Sequence, residues 1–159
     1  MSNAYLVRKE ERLIFEVWIG KITKDELFEH ERQQLLDPDF PFAPRVLVDI
    51  TGASFDPAIG KTELGQFVDL YRHHHDKTVG ARVAIVAAED FARAETYGKL
   101  AERQSVRVIV FNDVGTACIW LGVSAADAQE WIVRTRAELL RNPPREERAS
   151  PPTAEPCSG

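Results

Sequence analysis

The chain has 159 residues, which is the length of a single domain with a core of its own. Its formal net charge of −5 argues against the basic surface that nucleic-acid binding requires, so no nucleic-acid partner is expected. No apolar run is long enough to span a membrane and the N-terminus lacks a signal-peptide profile, so a cytoplasmic protein is expected.

The first part of the chain predicts a β-hairpin followed by a helix. Apolar residues at 5–7 and 13–19 read as two strands, and the polar stretch between them is short enough for an antiparallel turn. Thr23 and Glu26 then have the spacing of a capping box, which begins a helix. That helix is expected to end near Leu36, just before an Asp-Pro pair.

The stretch 46–52 is the most informative in the chain. A strand at 45–50 is predicted: its apolar run is broken by Asp49 and then passes into Thr51 and Gly52, as a buried parallel strand does where it enters a loop at its carboxyl end. Open α/β sheets place their sites at this end of the strands. The loop is expected to span 51–62, and an amphipathic helical pattern then covers 63–74.

Two further strands, 82–87 and 106–111, alternate with helical patterns in the second half of the chain. Ser124 and Asp127 have a weaker capping spacing and begin a last helix that runs to about residue 140. A solvent-facing Trp131 would make this helix the surface of a homodimer; otherwise the helix packs back on the sheet.

This order predicts an α/β domain at 1–141: a single mixed, mainly parallel β-sheet of about five strands, built from β-α units under one layer of helices, with an extra C-terminal helix. Residues 142–159 contain five of the nine prolines and few large apolar residues, so a disordered tail is predicted. The two cysteines, Cys118 in a helical stretch and Cys157 in the tail, are not expected to pair.

Three motifs follow one another along the chain: the strand end at 47–52 (LVDITG), the strand 84–87 followed by a helical stretch at 93–97, and the strand end at 108–113 followed by a helical stretch at 117–122. With them the chain resembles, over roughly residues 4–122, a SpoIIAA-like (STAS-like) domain, the fold of bacterial anti-sigma-factor antagonists. The resemblance implies a regulatory module with a phosphorylated serine at the start of the helix after the third strand. Ala58 stands nearest that place here, so no phosphorylation switch at the usual serine is expected.

No catalytic signature is found, and a protein without enzymatic activity, metal or cofactor is expected. Asp49, Asp90 and Asp113 follow three strands and could form an acidic pocket, but helix capping and hydrogen bonds to loop amides are the favoured interpretation. The three consecutive histidines at 73–75 point about 100° apart on a helix and cannot converge on one metal ion.

The first hypothesis is therefore a non-enzymatic, protein-binding regulatory module that uses the loop at 51–62 and the helix after it. The alternative is a binder of a small apolar or lipid-like ligand between helices and sheet, suggested by the aromatic residues Phe40 and Phe42. Both hypotheses use the same candidate partner- or ligand-binding residues: Asp49, Thr51, Ser54, Phe55, Asp56, Thr62 and Phe67.

Overall fold

A mixed five-stranded sheet forms the centre of the protein in the computed structural model, which describes residues 2–142. The tail predicted at 142–159 lies outside these residues except for Asn142. The strands are β1 (Asn3–Arg8), β2 (Leu13–Ile22), β3 (Arg45–Phe55), β4 (Arg82–Val86) and β5 (Arg107–Phe111). They lie side by side in chain order, with β1 antiparallel to β2 and all other pairs parallel. The predicted α/β class, the hairpin and the mainly parallel sheet are confirmed.

The helices are α1 (Lys24–Leu36), α2 (Lys61–Asp69), α3 (His75–Thr78), α4 (Phe91–Glu102), α5 (Val114–Leu121) and α6 (Ala125–Arg141). A 3₁₀ segment, Leu70–His74, joins α2 to α3, so the region predicted as one helix at 63–74 consists of two different helical segments.

Helices cover both faces of the sheet. The crossover helices α1, α2 and α4 form the single layer that was predicted, whereas α5 and α6 cover the opposite face, which the prediction left uncovered. The reason lies in β2, where Ile14 and Trp18 face one core while Phe15 and Val17 face the other. A strand that is apolar on both faces needs a layer of helices on each.

The predicted capping signals are present at both ends of the domain. The Thr23 side chain accepts a hydrogen bond from the Glu26 amide at 3.2 Å, and the Glu26 carboxylate accepts one from the Thr23 amide at 3.4 Å. At α6, the Ser124 hydroxyl accepts from the Asp127 amide at 3.3 Å. Trp131 of α6 is buried, with its ring 5.9 Å from that of Phe15, so this helix packs back on the sheet.

The third strand is longer than predicted, and the loop is correspondingly shorter. The prediction ended the strand at Ile50 and placed Thr51 in a loop, but β3 continues to Phe55. After an irregularity at Trp18 in β2, the pairing resumes between Ile19 and Gly52 and runs to the end of both strands. The partner strand therefore overrides the turn signal of Thr51 and Gly52, because residues 19–22 of β2 pair with residues 52–55 and keep them in the sheet.

Candidate functional site

A cavity of about 100 Å³ lies between the sheet and the helices α1, α2 and α4. Its walls are mainly apolar, formed by side chains from β2, β3 and β4 below and from the three helices above. Pockets of this composition, with a few polar groups that converge, are the usual form of small-molecule sites.

Val48 marks the floor of the cavity. It lies in β3 between Glu16 of β2 and Ile85 of β4, and all three line the cavity. Val48 is half-buried although strands flank it on both sides, while its neighbours Val46 and Ile50 on the same face are buried. The cavity itself therefore accounts for the accessible surface of Val48.

A buried polar cluster forms one wall of the cavity. The Glu16 carboxyl, 6% exposed, contacts Nε2 of His30 and accepts a hydrogen bond from the Gln34 side-chain amide at 3.4 Å. The other ring nitrogen of His30, Nδ1, lies 2.9 Å from the side-chain oxygen of Asn3. Nδ1 of His30 therefore has a hydrogen-bond partner, whereas Nε2 is buried against the Glu16 carboxyl without a regular hydrogen bond.

The proton of this cluster can be placed from its contacts together with the effect of burial. The side-chain oxygen of Asn3 is only an acceptor, so Nδ1 of His30 donates to it and Nε2 of the neutral ring is left to accept. Opposite Nε2 the Glu16 carboxyl is then a protonated donor; a carboxylate beside a doubly protonated ring would make the same contacts, and burial decides between the two forms. Burial raises the pKa of Glu16 to about 8, although the Gln34 and Trp18 side chains lower it, and burial lowers the pKa of His30. Both shifts agree with a neutral acid beside a neutral imidazole.

Glu31 is the second carboxyl of the cavity, and two tyrosines accompany it. Burial, and next the neighbouring Glu16, raise the pKa of Glu31 to about 7, while His30 and the Tyr71 hydroxyl lower it. The hydroxyls of Tyr71 and Tyr97 are 2.5 Å apart, and burial raises the pKa of both phenols. Near neutral pH, Glu31 is thus the carboxyl of the cavity that changes charge most readily.

None of the residues of this cluster was predicted from the sequence, yet two signals pointed to it. On α1, the core face is made of Leu27, His30, Glu31, Gln34 and Leu35, which follow the i, i+3, i+4, i+7, i+8 spacing. Three of these five positions are polar. In β2, Glu16 interrupts a strand whose other residues from Leu13 to Ile19 are all buried and apolar.

Of the seven residues predicted for the site, Phe55 and Phe67 line the cavity. The backbone of Phe55 is held by α4, because its amide donates to the Asp90 carboxylate at 2.8 Å and its carbonyl accepts from Arg93 at 3.3 Å. Phe67 is 5% exposed and packs edge-to-face on Tyr97. Both aromatic residues therefore face inward.

Asp49 and Thr51 lie on the opposite face of the sheet, under α6. The Asp49 carboxylate, 1% exposed, forms an ion pair with Arg136 and accepts hydrogen bonds from the Thr51 amide at 2.9 Å and hydroxyl at 2.7 Å. Arg136 also donates to the Thr51 hydroxyl at 2.8 Å. This arrangement ties α6 to β3 and does not reach the cavity.

The other three predicted residues are at the surface. Ser54 and Thr62 are exposed. Asp56 begins the turn before α2, where its carboxylate accepts from the Ala58 amide at 2.9 Å and lies 3.6 Å from the Lys21 ammonium group. The structure thus distributes the seven residues over the cavity, the opposite face of the sheet and the surface.

The three aspartates near the strand ends have separate roles. Asp113 caps α5 by accepting from the Thr116 amide at 2.8 Å. Asp90 was expected to cap α4, but its carboxylate accepts from the Phe55 amide and contacts Arg93 instead. Within residues 2–142 there is no group of three or more histidine, cysteine or acidic side chains with a geometry suited to a metal ion.

Comparison with known proteins finds similarity among solved structures. A scan against protein-family models finds no match, and a search of curated proteins finds none. Among solved structures, the chain is similar to an uncharacterised protein of the DUF3478 family from Shewanella loihica PV-4, whose description names a SpoIIAA-like fold. The two share 18% sequence identity at a TM-score of 0.49, over 76% of this chain and 94% of the other. The fold named in the description of that protein is the one that the sequence motifs resemble.

In the region that the structure covers, no helix combines the length and the apolarity needed to cross a membrane.

Proposed function

We propose that this protein is a binding module without enzymatic activity, and that it holds a small amphipathic molecule in the cavity between the sheet and α1, α2 and α4. The observation that carries the proposal is the cavity itself, an apolar space with one polar wall. The polar wall would orient the head of a ligand and the apolar walls would bury the rest of it.

The chemistry of the polar wall supports binding more than catalysis. Both ring nitrogens of His30 are occupied by Asn3 and Glu16, so the imidazole has no free position for a substrate proton. Among residues 2–142, Cys118 is the one cysteine, and burial raises the pKa of its thiol, which suits a core residue on the opposite face.

Filling the cavity tests the proposal. Val48→Phe places a ring in the space above the floor, and Val133→Phe, at a position that is 64% exposed on α6, is the matched control. The ligand probe is n-butanol, followed by NMR titration of the methyl groups that line the cavity. Saturable shifts are expected for the wild type and Val133→Phe and not for Val48→Phe. Thermal melting reports whether each variant folds, and the smaller Val48→Leu serves if Val48→Phe does not.

Two results would contradict the cavity proposal. One is a wild type whose cavity methyls show no saturable shift with n-butanol. The other is a folded Val48→Phe variant that binds n-butanol as tightly as the wild type.

A regulatory role through a protein partner is the second proposal. The exposed turn around Pro57 and Ala58 favours it, because this turn occupies the place where the family resemblance puts the phosphorylated serine. Ala58 has no hydroxyl group, so the proposed interaction is not switched at that position. A partner that co-purifies with the wild type and Val48→Phe, but not with Ala58→Arg, would support this role. Equal retention by all three proteins would count against it.

A further inference from the structure

The ionisable groups that line the cavity are two carboxyl groups, the imidazole of His30 and two phenols. Two carboxyl groups line it, those of Glu16 and Glu31, and among the described residues no lysine or arginine side chain does. Glu31 is 8% exposed and forms no ion pair with a basic side chain in the part of the chain that the structure covers. A buried carboxylate without a counter-ion is unfavourable, and a cation inside the cavity would relieve this cost.

Aromatic rings form part of the remaining wall, beside a larger number of aliphatic side chains. Six aromatic side chains line the cavity: Trp18, Phe40, Phe55, Phe67, Tyr71 and Tyr97. The faces of such rings attract organic cations, and this attraction grows when both groups are removed from water. A carboxylate combined with several aromatic rings is chemically suited to an ammonium group with an apolar substituent.

An unpartnered hydroxyl gives an independent indication that a polar ligand belongs here. Thr78 lines the cavity, is 3% exposed and has no hydrogen-bond partner for its Oγ1. Buried hydroxyl groups in proteins are nearly always hydrogen-bonded. A ligand with a polar group would satisfy it.

We infer that the cavity, if it is the binding site proposed above, takes a small organic ammonium ion, with Glu31 as the counter-ion and the aromatic rings as part of the surrounding wall.

Glu31 is the better counter-ion because Glu16 is already engaged. Glu16 contacts His30 and accepts from Gln34, so its proton is held within the protein. The ionisable groups that face Glu31 are Glu16 from β2, His30 from its own helix, and the two phenols Tyr71 and Tyr97. With a pKa of about 7, Glu31 is available as a carboxylate at slightly alkaline pH. A carboxylate ligand, in contrast, would enter beside two acids, where the imidazole of His30 is already in contact with Asn3 and Glu16 and no lysine or arginine among the described residues lines the cavity.

The size of the cavity limits the ligand. Its volume of about 100 Å³ is smaller than the cavity of about 150 Å³ that holds benzene in an engineered protein. Three four-carbon compounds therefore serve as probes: n-butylammonium, n-butanol and butyrate. They differ mainly in charge, so a comparison among them isolates the role of Glu31.

The experiment titrates each compound into the wild type, Glu31→Gln and the matched control Glu29→Gln at about pH 7.5 and constant ionic strength, with NMR detection. Glu29 lies on the exposed side of α1, two residues before Glu31. The wild type is expected to bind n-butylammonium about tenfold more tightly than n-butanol, with no saturable binding of butyrate. Glu31→Gln should weaken n-butylammonium binding by about tenfold and change n-butanol binding by less than about twofold, while Glu29→Gln should change neither.

The pH dependence in the wild type gives a second measurement that needs no variant. An alkylamine has a pKa close to that of a lysine side chain, about 10.4, and stays charged near neutral pH. Its affinity should therefore rise between about pH 6 and pH 7.5 as Glu31 ionises, while n-butanol affinity should not.

The outcomes separate the two proposals. If n-butanol binds and n-butylammonium binds no more tightly, the cavity-binding function stands and the ammonium inference is wrong. If Glu31→Gln weakens n-butanol as much as n-butylammonium, Glu31 only maintains the cavity, and the inference again fails. If none of the three compounds shows saturable binding, both proposals are wrong.

Discussion

Replacement of Glu16 by glutamine tests whether a protonated carboxyl is part of the folded core. The glutamine amide can donate to His30 Nε2, as the protonated acid does, and its oxygen can accept from Gln34. The variant is therefore expected to fold. What it removes is the ability of this position to ionise.

The magnitude follows from the pKa of Glu16. In the folded protein it is raised from 4.5 to about 8, mainly by burial. Between these two values the folded state keeps a proton that the unfolded chain releases, so stability is greatest below pH 4.5 and falls as pH rises through 8. From about pH 5 to about pH 8, this one group lowers the free energy of unfolding by about 3–4 kcal/mol. The pKa of Glu31 is raised to about 7, so this group also lowers the free energy of unfolding as pH rises.

The assay is urea unfolding of the wild type and Glu16→Gln at several values between about pH 5 and pH 8. The stability of the variant relative to the wild type should increase with pH by about 3–4 kcal/mol over this range. Groups with lowered pKa, such as Asp56 and Asp113, affect both proteins equally and act mainly at more acidic pH. A stability difference that stays constant across the range would refute the placement of the proton on Glu16.

Three further predictions concern the rest of the fold and are measured by chemical or thermal unfolding. Arg136→Met leaves the Asp49 carboxylate buried without its cation and should destabilise the protein by about 2–3 kcal/mol. The loss is smaller than for a fully buried pair because Arg136 is partly exposed. Equal stability of variant and wild type would show that the ion pair contributes little. Gly65→Ala, in the middle of α2 with free space around the new Cβ, should stabilise the protein by about 0.5–1 kcal/mol. Gly20→Ala, at a φ of +72°, should destabilise it by about 1 kcal/mol. A stability change of the same sign at both positions would contradict this backbone explanation. Thr78→Val removes the unpartnered hydroxyl and should stabilise the ligand-free protein by about 1 kcal/mol, and a loss of stability would mean that the hydroxyl has a partner.

Local features of the fold were predictable because each depends on residues close together in the chain. The capping box at Thr23 and Glu26 needs only a three-residue spacing, and the hairpin needs only two apolar runs with a short connection. The extent of β3 was not predictable in this way. Thr51 and Gly52 carry a turn signal, but pairing with the last residues of β2 keeps them in the sheet.

The candidate site was predicted only in part. Phe55 and Phe67 were predicted as site residues and do line the cavity. Asp49 lies near the predicted end of a strand, and this position is equally compatible with a functional site and with a structural ion pair. Its partner Arg136 is 87 residues away in the chain, so no local pattern could have joined the two. Glu16 and Glu31 were within reach of sequence reasoning, because their positions on a buried strand and on the core face of a helix can be read from spacing.

The sequence by itself determined the order of strands and helices, the ends of the capped helices and the faces that are buried, because these depend on local hydrogen bonds and on the periodicity of apolar residues. Only the tertiary structure decided which polar groups meet inside. Strand pairing and helix packing bring Glu16, His30 and Glu31 to one wall of a cavity, and removal from water then sets their protonation.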